Sequence, residues 1–258
     1  MNTQDLFTKS NPISGITEES YNSIELVIDS AKAFARSTYQ CVYIIDYFKQ
    51  NILYHSDGFT SLRNPNTPEV GNSNEKLYFD LIPNEEIGML REIMRTGFDF
   101  FNKMPISKRY NFTLSYDFHI KGNNKLRLVN HHLTPLKLTQ DGQLWLALCT
   151  ISTSAQKEHG HILIMETGSD KYYEYSLCQR KWQEKEYAKL SRTECEVLAL
   201  SAQGLTMEHI ADMIFKSVDA IKACKKMLFS KLGVKNTTQA LSYAINYKKL
   251  FEKNDQQD

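Results

Sequence analysis

The chain has 258 residues, of which 41% are hydrophobic and 24% charged, with a formal net charge of +1. That balance is ordinary for a folded soluble protein of one large or two modest domains. The longest apolar runs, such as Leu144 to Ile151, are far too short to span a bilayer. The Met1-Asn2-Thr3-Gln4-Asp5 start lacks the basic segment and apolar core of a signal peptide. Five widely spaced cysteines (41, 149, 178, 195 and 224) suit reduced thiols, not a disulfide framework or a zinc site.

In chain order, Thr17 to Thr38 places Ile24, Val27, Ile28, Ala31 and Ala35 at helical spacing. Cys41–Asp46 and Asn51–His55 are strand-like, and the polar bend at Lys49-Gln50-Asn51 between them predicts a hairpin. From Asp57 to Leu81, Pro65, Pro68 and Gly71 break the chain into loops and short helices. Pro83-Asn84-Glu85-Glu86 opens a helix with proline and acids in its first turn, followed by Ile87, Leu90, Met94 and Phe101. Three strands follow. The first, Tyr110–Lys121, alternates Phe112, Leu114, Tyr116, Phe118 and Ile120. The others are Lys125–Leu138 and Gln143–Ser152, with turns at Gly122-Asn123-Asn124 and Gln140-Asp141-Gly142. A further hairpin joins His161–Glu166 to Tyr172–Ser176. Gln179 to Lys189 reads as a charged linker, helical in part, with Trp182 as a packing anchor between domains.

The C-terminal segment is a series of short capped helices. Ser191 and Glu194 fit a capping box, and Gly204 suits a left-handed helix end. Thr206 caps a second helix with Ile210, Ala211, Met213 and Ile214 as its buried stripe. Ser217 caps a third that runs through Ile221, Met227, Leu228 and Leu232 to Gly233. A fourth begins near Thr237 or Thr238 and buries Ala240, Leu241, Ala244 and Ile245. From Lys216 to Lys253 nine lysines face two acids, Asp219 and Glu252, so basic character is local in a nearly neutral chain. A lysine-rich helix can be only a solvated face. Here Lys222, Lys225 and Lys226 cannot all share the core face of Ile221, Leu228 and Leu232, so they project outward, where a major groove accepts them.

These features, from Leu190-Ser191-Arg192-Thr193-Glu194 through Gly204-Leu205-Thr206 and Ile221-Lys222 to Lys231-Leu232-Gly233-Val234, resemble the LuxR-type helix-turn-helix of bacterial transcription regulators. The resemblance implies double-stranded DNA as partner. Lys222, Ala223 and Lys226 take groove-facing positions, Lys225 and Lys231 take backbone-contact positions, and Thr206 and Ser217 join the DNA-binding set. It also implies a homodimer. Leu241, Ala244, Ile245 and Lys248, at spacings of three and four on the last helix, are the expected dimer contacts. Departures from the family pattern are Ala220 for threonine, Cys224 for histidine, Thr193 for arginine and Glu208 for lysine. Glu208 would repel a phosphate.

The N-terminal order of two strands, short helices, one longer helix and three strands resembles a PAS sensor domain. Tyr43-Ile44-Ile45-Asp46, Pro83-Asn84-Glu85-Glu86 and Asp141-Gly142 carry that likeness. The expected class is therefore α+β: a PAS-like antiparallel sheet with helices, then an all-α four-helix DNA-binding domain. The expected divisions are 1–39 (helical segment), 40–155 (PAS-like), 156–188 (hairpin and linker) and 189–258 (LuxR-type). Phe112, Leu114, Tyr116, Leu144 and Leu146 are the candidate lining of a small apolar ligand pocket; core packing is the commoner use of such residues.

No catalytic constellation is legible. His131 and His132 are adjacent, so on a strand they point to opposite faces and cannot readily share a metal. His119 lies outside the apolar alternation of its strand, and His159 and His161 sit at a turn with no cysteine nearby. The expectation is no metal, no cofactor, no enzyme activity and no phosphorelay receiver. The chain reads as a cytoplasmic bacterial regulator whose PAS-like domain senses a small molecule or protein signal, or mediates dimerisation, and controls the DNA-binding domain. The alternatives are a ligand-independent dimerisation platform with constitutive DNA binding and, with less support, a sensor enzyme.

Overall fold

The computed structural model describes residues 11–246, apart from 12, 39, 59–80 and 123–124. The loops expected between Asp57 and Leu81 fall almost wholly outside the described residues, as do Asn123, Asn124 and Lys248. The chain divides into two compact units, Met1–Glu186 and Tyr187–Asp258.

The first unit is built on one antiparallel sheet. A short 3-10 turn, Glu18–Ser23, leads into helix α1, Ile24–Ser37. Strands β1 (Cys41–Asp46) and β2 (Asn51–His55) form the expected hairpin. Asp46 builds its turn: Oδ1 accepts from the Phe48 and Lys49 N–H groups at 2.9 and 3.0 Å, and Oδ2 accepts from the Tyr21 hydroxyl at 2.6 Å. That side chain is occupied with structure. Helix α2, Asn84–Lys103, starts after Pro83 as the first-turn chemistry predicts. Strands β3 (Phe112–Lys121), β4 (Leu126–Leu138) and β5 (Leu144–Thr153) complete the central sheet.

The hairpin beyond these strands belongs to the same sheet. β6 (Ile162–Glu166) pairs with β3, β7 (Lys171–Ser176) with β6, and β8 (Lys181–Glu186) with β7. The eight-stranded order is β2-β1-β5-β4-β3-β6-β7-β8. The helical linker expected over Gln179–Lys189 is therefore corrected, because 181–186 is an edge strand. Its charged residues pair across to β7, Glu184 with Lys171 and Lys185 with Glu174. Trp182 stacks on Phe100 and Tyr175, with ring centroids 5.4 and 5.1 Å apart. It anchors β8 to the core of its own unit.

The core lies between α2 and one face of the sheet, where Leu90, Ile93, Phe98 and Phe101 meet Tyr43, Tyr116, Phe118 and Ile120. Arg109 ties this layer together. Its guanidinium donates to the carbonyls of Asn102, Met104 and Gly142 at 2.8, 3.0 and 2.6 Å, joining the end of α2 to the β4–β5 turn. Gly142 has a φ of +77°, and a Cβ there would meet Ile106 Cγ1 at 2.7 Å. Only glycine suits that turn.

The second unit is all-helical: α3 (Arg192–Ala202), α4 (Met207–Met213), α5 (Val218–Leu232) and α6 (Thr237–Asn246). Each of the first three starts where a hydroxyl accepts from the backbone three residues on. Ser191 takes Glu194 N–H at 3.3 Å, Thr206 takes His209 N–H at 3.3 Å, and Ser217 takes Ala220 N–H at 3.2 Å. α5 ends at Gly233 in the left-handed conformation, φ +65°. Such caps are each worth about 0.5–2 kcal/mol.

Candidate functional site

In the helical unit, Ile221, Leu228 and Leu232 turn the inner face of α5 into the core. The opposite face then follows from a 3.6-residue period. Lys222, Ala223 and Lys226 are exposed and Lys225 is half-buried. The exposed ammonium of Lys222 lies 3.1 Å from Asp219 in the first turn, a surface pair that solvent screens. Around the turn between α4 and α5 are Met213 and Phe215, the latter 94% exposed with a φ of +54°. Thr206 and Ser217 are exposed caps whose hydroxyls are engaged with backbone.

Lys231 has a different place from its expected phosphate contact. Its ammonium is 2.8 Å from Glu194 Oε2, which also accepts from Ser191 N–H at 2.7 Å. Glu194 is buried. Burial alone would raise its carboxyl, but the hydrogen bonds from Lys231 and Ser191 outweigh that and hold it below the usual carboxylate range. Lys231 thus completes the capping box of α3 from the far end of α5. Glu208 stands exposed in the first turn of α4. Its carboxyl is held low by its own backbone N–H, the Thr206 hydroxyl and the charge of Lys222.

The expected dimer residues of α6 need correction. Ala244 is completely buried in the core of its own unit, with Leu198, Leu228 and Ala240, and Leu241 packs on the same cluster. Ala244 offers no surface to a partner, whereas Leu241 is half-buried and keeps part of its surface. Ile245 lies in α6, and its side chain is outside the described set.

In the sheet unit, a cavity of about 40 Å³ opens between α2 and the sheet. Phe112, Leu114 and Leu144 line it, as expected, together with Phe98, Phe101 and Leu133. Tyr116 and Leu146 do not. Tyr116 packs in the main core, whereas Leu146 sits with Trp145 and Ile24 in a separate cluster. The β4–β5 register shifts at Pro135/Lys137 and Lys137/Leu138, and this breaks the simple alternation that would have put Leu144 and Leu146 together.

Beside this core lies a buried polar pair that sequence reasoning missed. Tyr43 Oη and His131 Nε2 are 2.6 Å apart, and His131 Nδ1 has no hydrogen-bond partner. Burial, with a smaller contribution from His132, pushes the His131 imidazole down to about 3, so it is neutral at physiological pH. Burial likewise pushes the Cys149 thiol up, which makes it an inert small hydrophobe.

Residues 188–244 match the family model described as bacterial regulatory proteins, luxR family. The C-terminal unit is a LuxR-type DNA-binding domain. Over 63 residues the chain is 40% identical to the oxygen regulatory protein NreC of Staphylococcus aureus strains JH9 and JH1, covering 24% of this chain and 29% of theirs. The chain therefore spans less than a third of the length of the curated relatives it matches. Among solved structures, it is similar to a phage VqmA–DPO complex, with 16% identity, 89% of this chain and 94% of that one covered, and a TM-score of 0.29. A Vibrio cholerae VqmA dimer without target DNA gives 15% identity, 92% and 90% coverage and a TM-score of 0.30. At those scores the likeness carries no weight for the shape or the ligand of this chain. LuxR-type regulators are not an enzyme class, and no described helix is long and apolar enough to cross a membrane.

Proposed function

We propose that the chain is a cytoplasmic transcription regulator that binds double-stranded DNA as a homodimer. The LuxR-type domain inserts α5 into the major groove, with Lys222, Ala223 and Lys226 towards the bases and Lys225, Thr206 and Ser217 near the backbone. The observation that carries this reading is the outward face of α5: exposed lysines on a helix capped at both ends, opposite a sealed apolar face. A single unit of this size reaches one half-site, so two copies read a two-fold site about one helical turn apart.

The N-terminal unit is read as a PAS-like domain that joins the two copies and receives the signal. Its two strands, long helix and three further strands support that reading. A second reading, a dimerisation platform with no ligand, has its own observation. A drug-sized ligand needs roughly 300 Å³ or more, and the apolar cavity among the described residues is about 40 Å³. A ligand would have to displace side chains there; a filled core needs nothing.

The test is fluorescence anisotropy of the full chain on a duplex selected from a random pool and on unselected duplex. Lys226→Ala should lose roughly 1–3 kcal/mol on the selected duplex, the value of one base contact, and far less on the unselected one. Equal losses would make Lys226 a phosphate contact. No measurable binding to any duplex would overturn the function.

A further inference from the structure

We propose that Glu86, His119 and His159 form a binding site for a borderline divalent transition metal such as Zn²⁺. The three donors come from α2, β3 and the segment before β6, and their ligand atoms all lie within 4.8 Å of one another. Glu86 Oε1 is 2.5 Å from His119 Nδ1 and 3.4 Å from His159 Nδ1. Tetrahedral zinc with bonds of about 2.0–2.1 Å needs donors about 3.3 Å apart. The His159 contact already has that spacing, and the His119 contact opens by under an ångström. Two imidazoles and a carboxylate are the donor set of zinc and non-haem iron sites, not of calcium or magnesium.

Local backbone geometry presents these donors. β6 pairs with β3 only over Phe112–Ser115, so the rest of that β3 edge must be satisfied otherwise. Gly160 N–H donates to the Asp117 carbonyl at 2.8 Å, and His119 N–H donates to Glu86 Oε2 at 2.8 Å. This leaves Glu86 Oε1 facing the two rings, whose centroids are 5.5 Å apart. Gly160, between His159 and His161, has a φ of +86°, and a Cβ there would press on Leu177 Cδ1 at 3.0 Å. His159 is about half exposed, so the site is open to an entering ion and to a water as fourth ligand.

Asp117 is 1% exposed, and its Oδ2 has no hydrogen-bond partner. His161 Nδ1 stands 3.6 Å away, beyond hydrogen-bond reach. Asp117 shares a β3 face with His119, two residues along. Asp117 is not one of the three ligands, and it adds negative charge on the same strand as His119. Spacing along any one strand could not reveal the site, because its ligands come from three segments.

The inference does not depend on the DNA-binding reading. The full chain, stripped with chelator and dialysed, is titrated with Zn²⁺ by calorimetry, and separately with Co²⁺ by visible absorption. One equivalent should bind, with a thermal midpoint that rises with Zn²⁺ concentration and a cobalt spectrum of low-coordinate type. His159→Ala, at the exposed end, should weaken binding at least tenfold, as should Glu86→Gln; His209→Ala, outside the site, should not. An anaerobic Fe²⁺ arm that binds more tightly keeps the site and assigns it to iron. No saturable binding, equal binding of Mg²⁺, or His159→Ala binding as wild type would overturn the proposal and leave the cluster a hydrogen-bonded ion pair.

Discussion

The two units differ in how completely their buried polar side chains are paired. In the helical unit, the buried Glu194 is completed by two donors, one from its own cap and one from Lys231. In the sheet unit, His131 Nδ1, Asp117 Oδ2 and Asn130 Oδ1 are buried without hydrogen-bond partners. A fully satisfied polar group fixes one conformation, whereas an unsatisfied one leaves free energy for a proton, an ion or a rearrangement to release. The helical unit is thus organised as a rigid reader, and the sheet unit holds the groups that respond to conditions.

The largest expected effect tests the responsive side. His131 has a folded-state value of about 3 against an ordinary 6.5. Below pH 6.5 the unfolded chain takes up a proton that the folded chain refuses, so stability from this group falls as pH drops from 6.5 towards 3. The slope approaches about 1.4 kcal/mol per pH unit, or about 3 kcal/mol by pH 4. Urea unfolding from pH 7 to 4 should show this loss in the wild type, with a flatter profile in His131→Gln. Parallel profiles would mean that the ring is hydrated and would erase the contrast between the units.

Next comes the pin of the rigid side. Lys231→Ala leaves Glu194 buried with one donor removed and should cost the helical unit about 2 kcal/mol at pH 7. Because the Glu194 carboxyl is depressed in the folded state, its stabilising share is present above about pH 4.5 and fades below it. The mutant and wild type should therefore converge in acid. Adding Glu194→Gln to Lys231→Ala should recover part of the loss, and a full additive loss would show that the two side chains act separately.

The smallest effect sharpens the DNA side of the comparison. Glu208 is exposed in the first turn of α4 and close enough to Lys222 for its charge to be felt. Glu208→Lys should tighten binding to any duplex by a few-fold and steepen the salt dependence by about one unit. An unchanged salt slope would place this turn away from phosphate.

What could be read from the chain follows the same division. Ser191, Thr206, Ser217 and Gly233 announce helix ends through contacts three or four residues away, so the helical unit was legible almost to its boundaries. The Lys231–Glu194 pair spans 37 residues, and no local signal contains it. The spacing of α6 marks Ala244 as apolar, but spacing alone does not separate a core contact from a dimer contact, and the core takes it. In the sheet unit, turn residues marked the hairpins, but the β4–β5 register shifts that separate Leu144 from Leu146 are a property of two strands together. β8 was missed because Lys181-Trp182-Gln183-Glu184-Lys185-Glu186 has a single large apolar residue and no apolar alternation. Its partners are cross-strand charges. The approach of His119 and His159 to Glu86 was hidden for the same reason.

That charged strand has a consequence for the protein in a crowded cell. β8 ends the sheet order, so among the described residues one row of its backbone donors and acceptors has no neighbouring strand. A bare edge of this kind is a template on which further chains can add. Lys181, Lys185, Glu184 and Glu186 set alternating charges along it, and an incoming strand would have to strip water from each of them. The run that disguises the strand in the sequence is also its guard against fibre-like stacking.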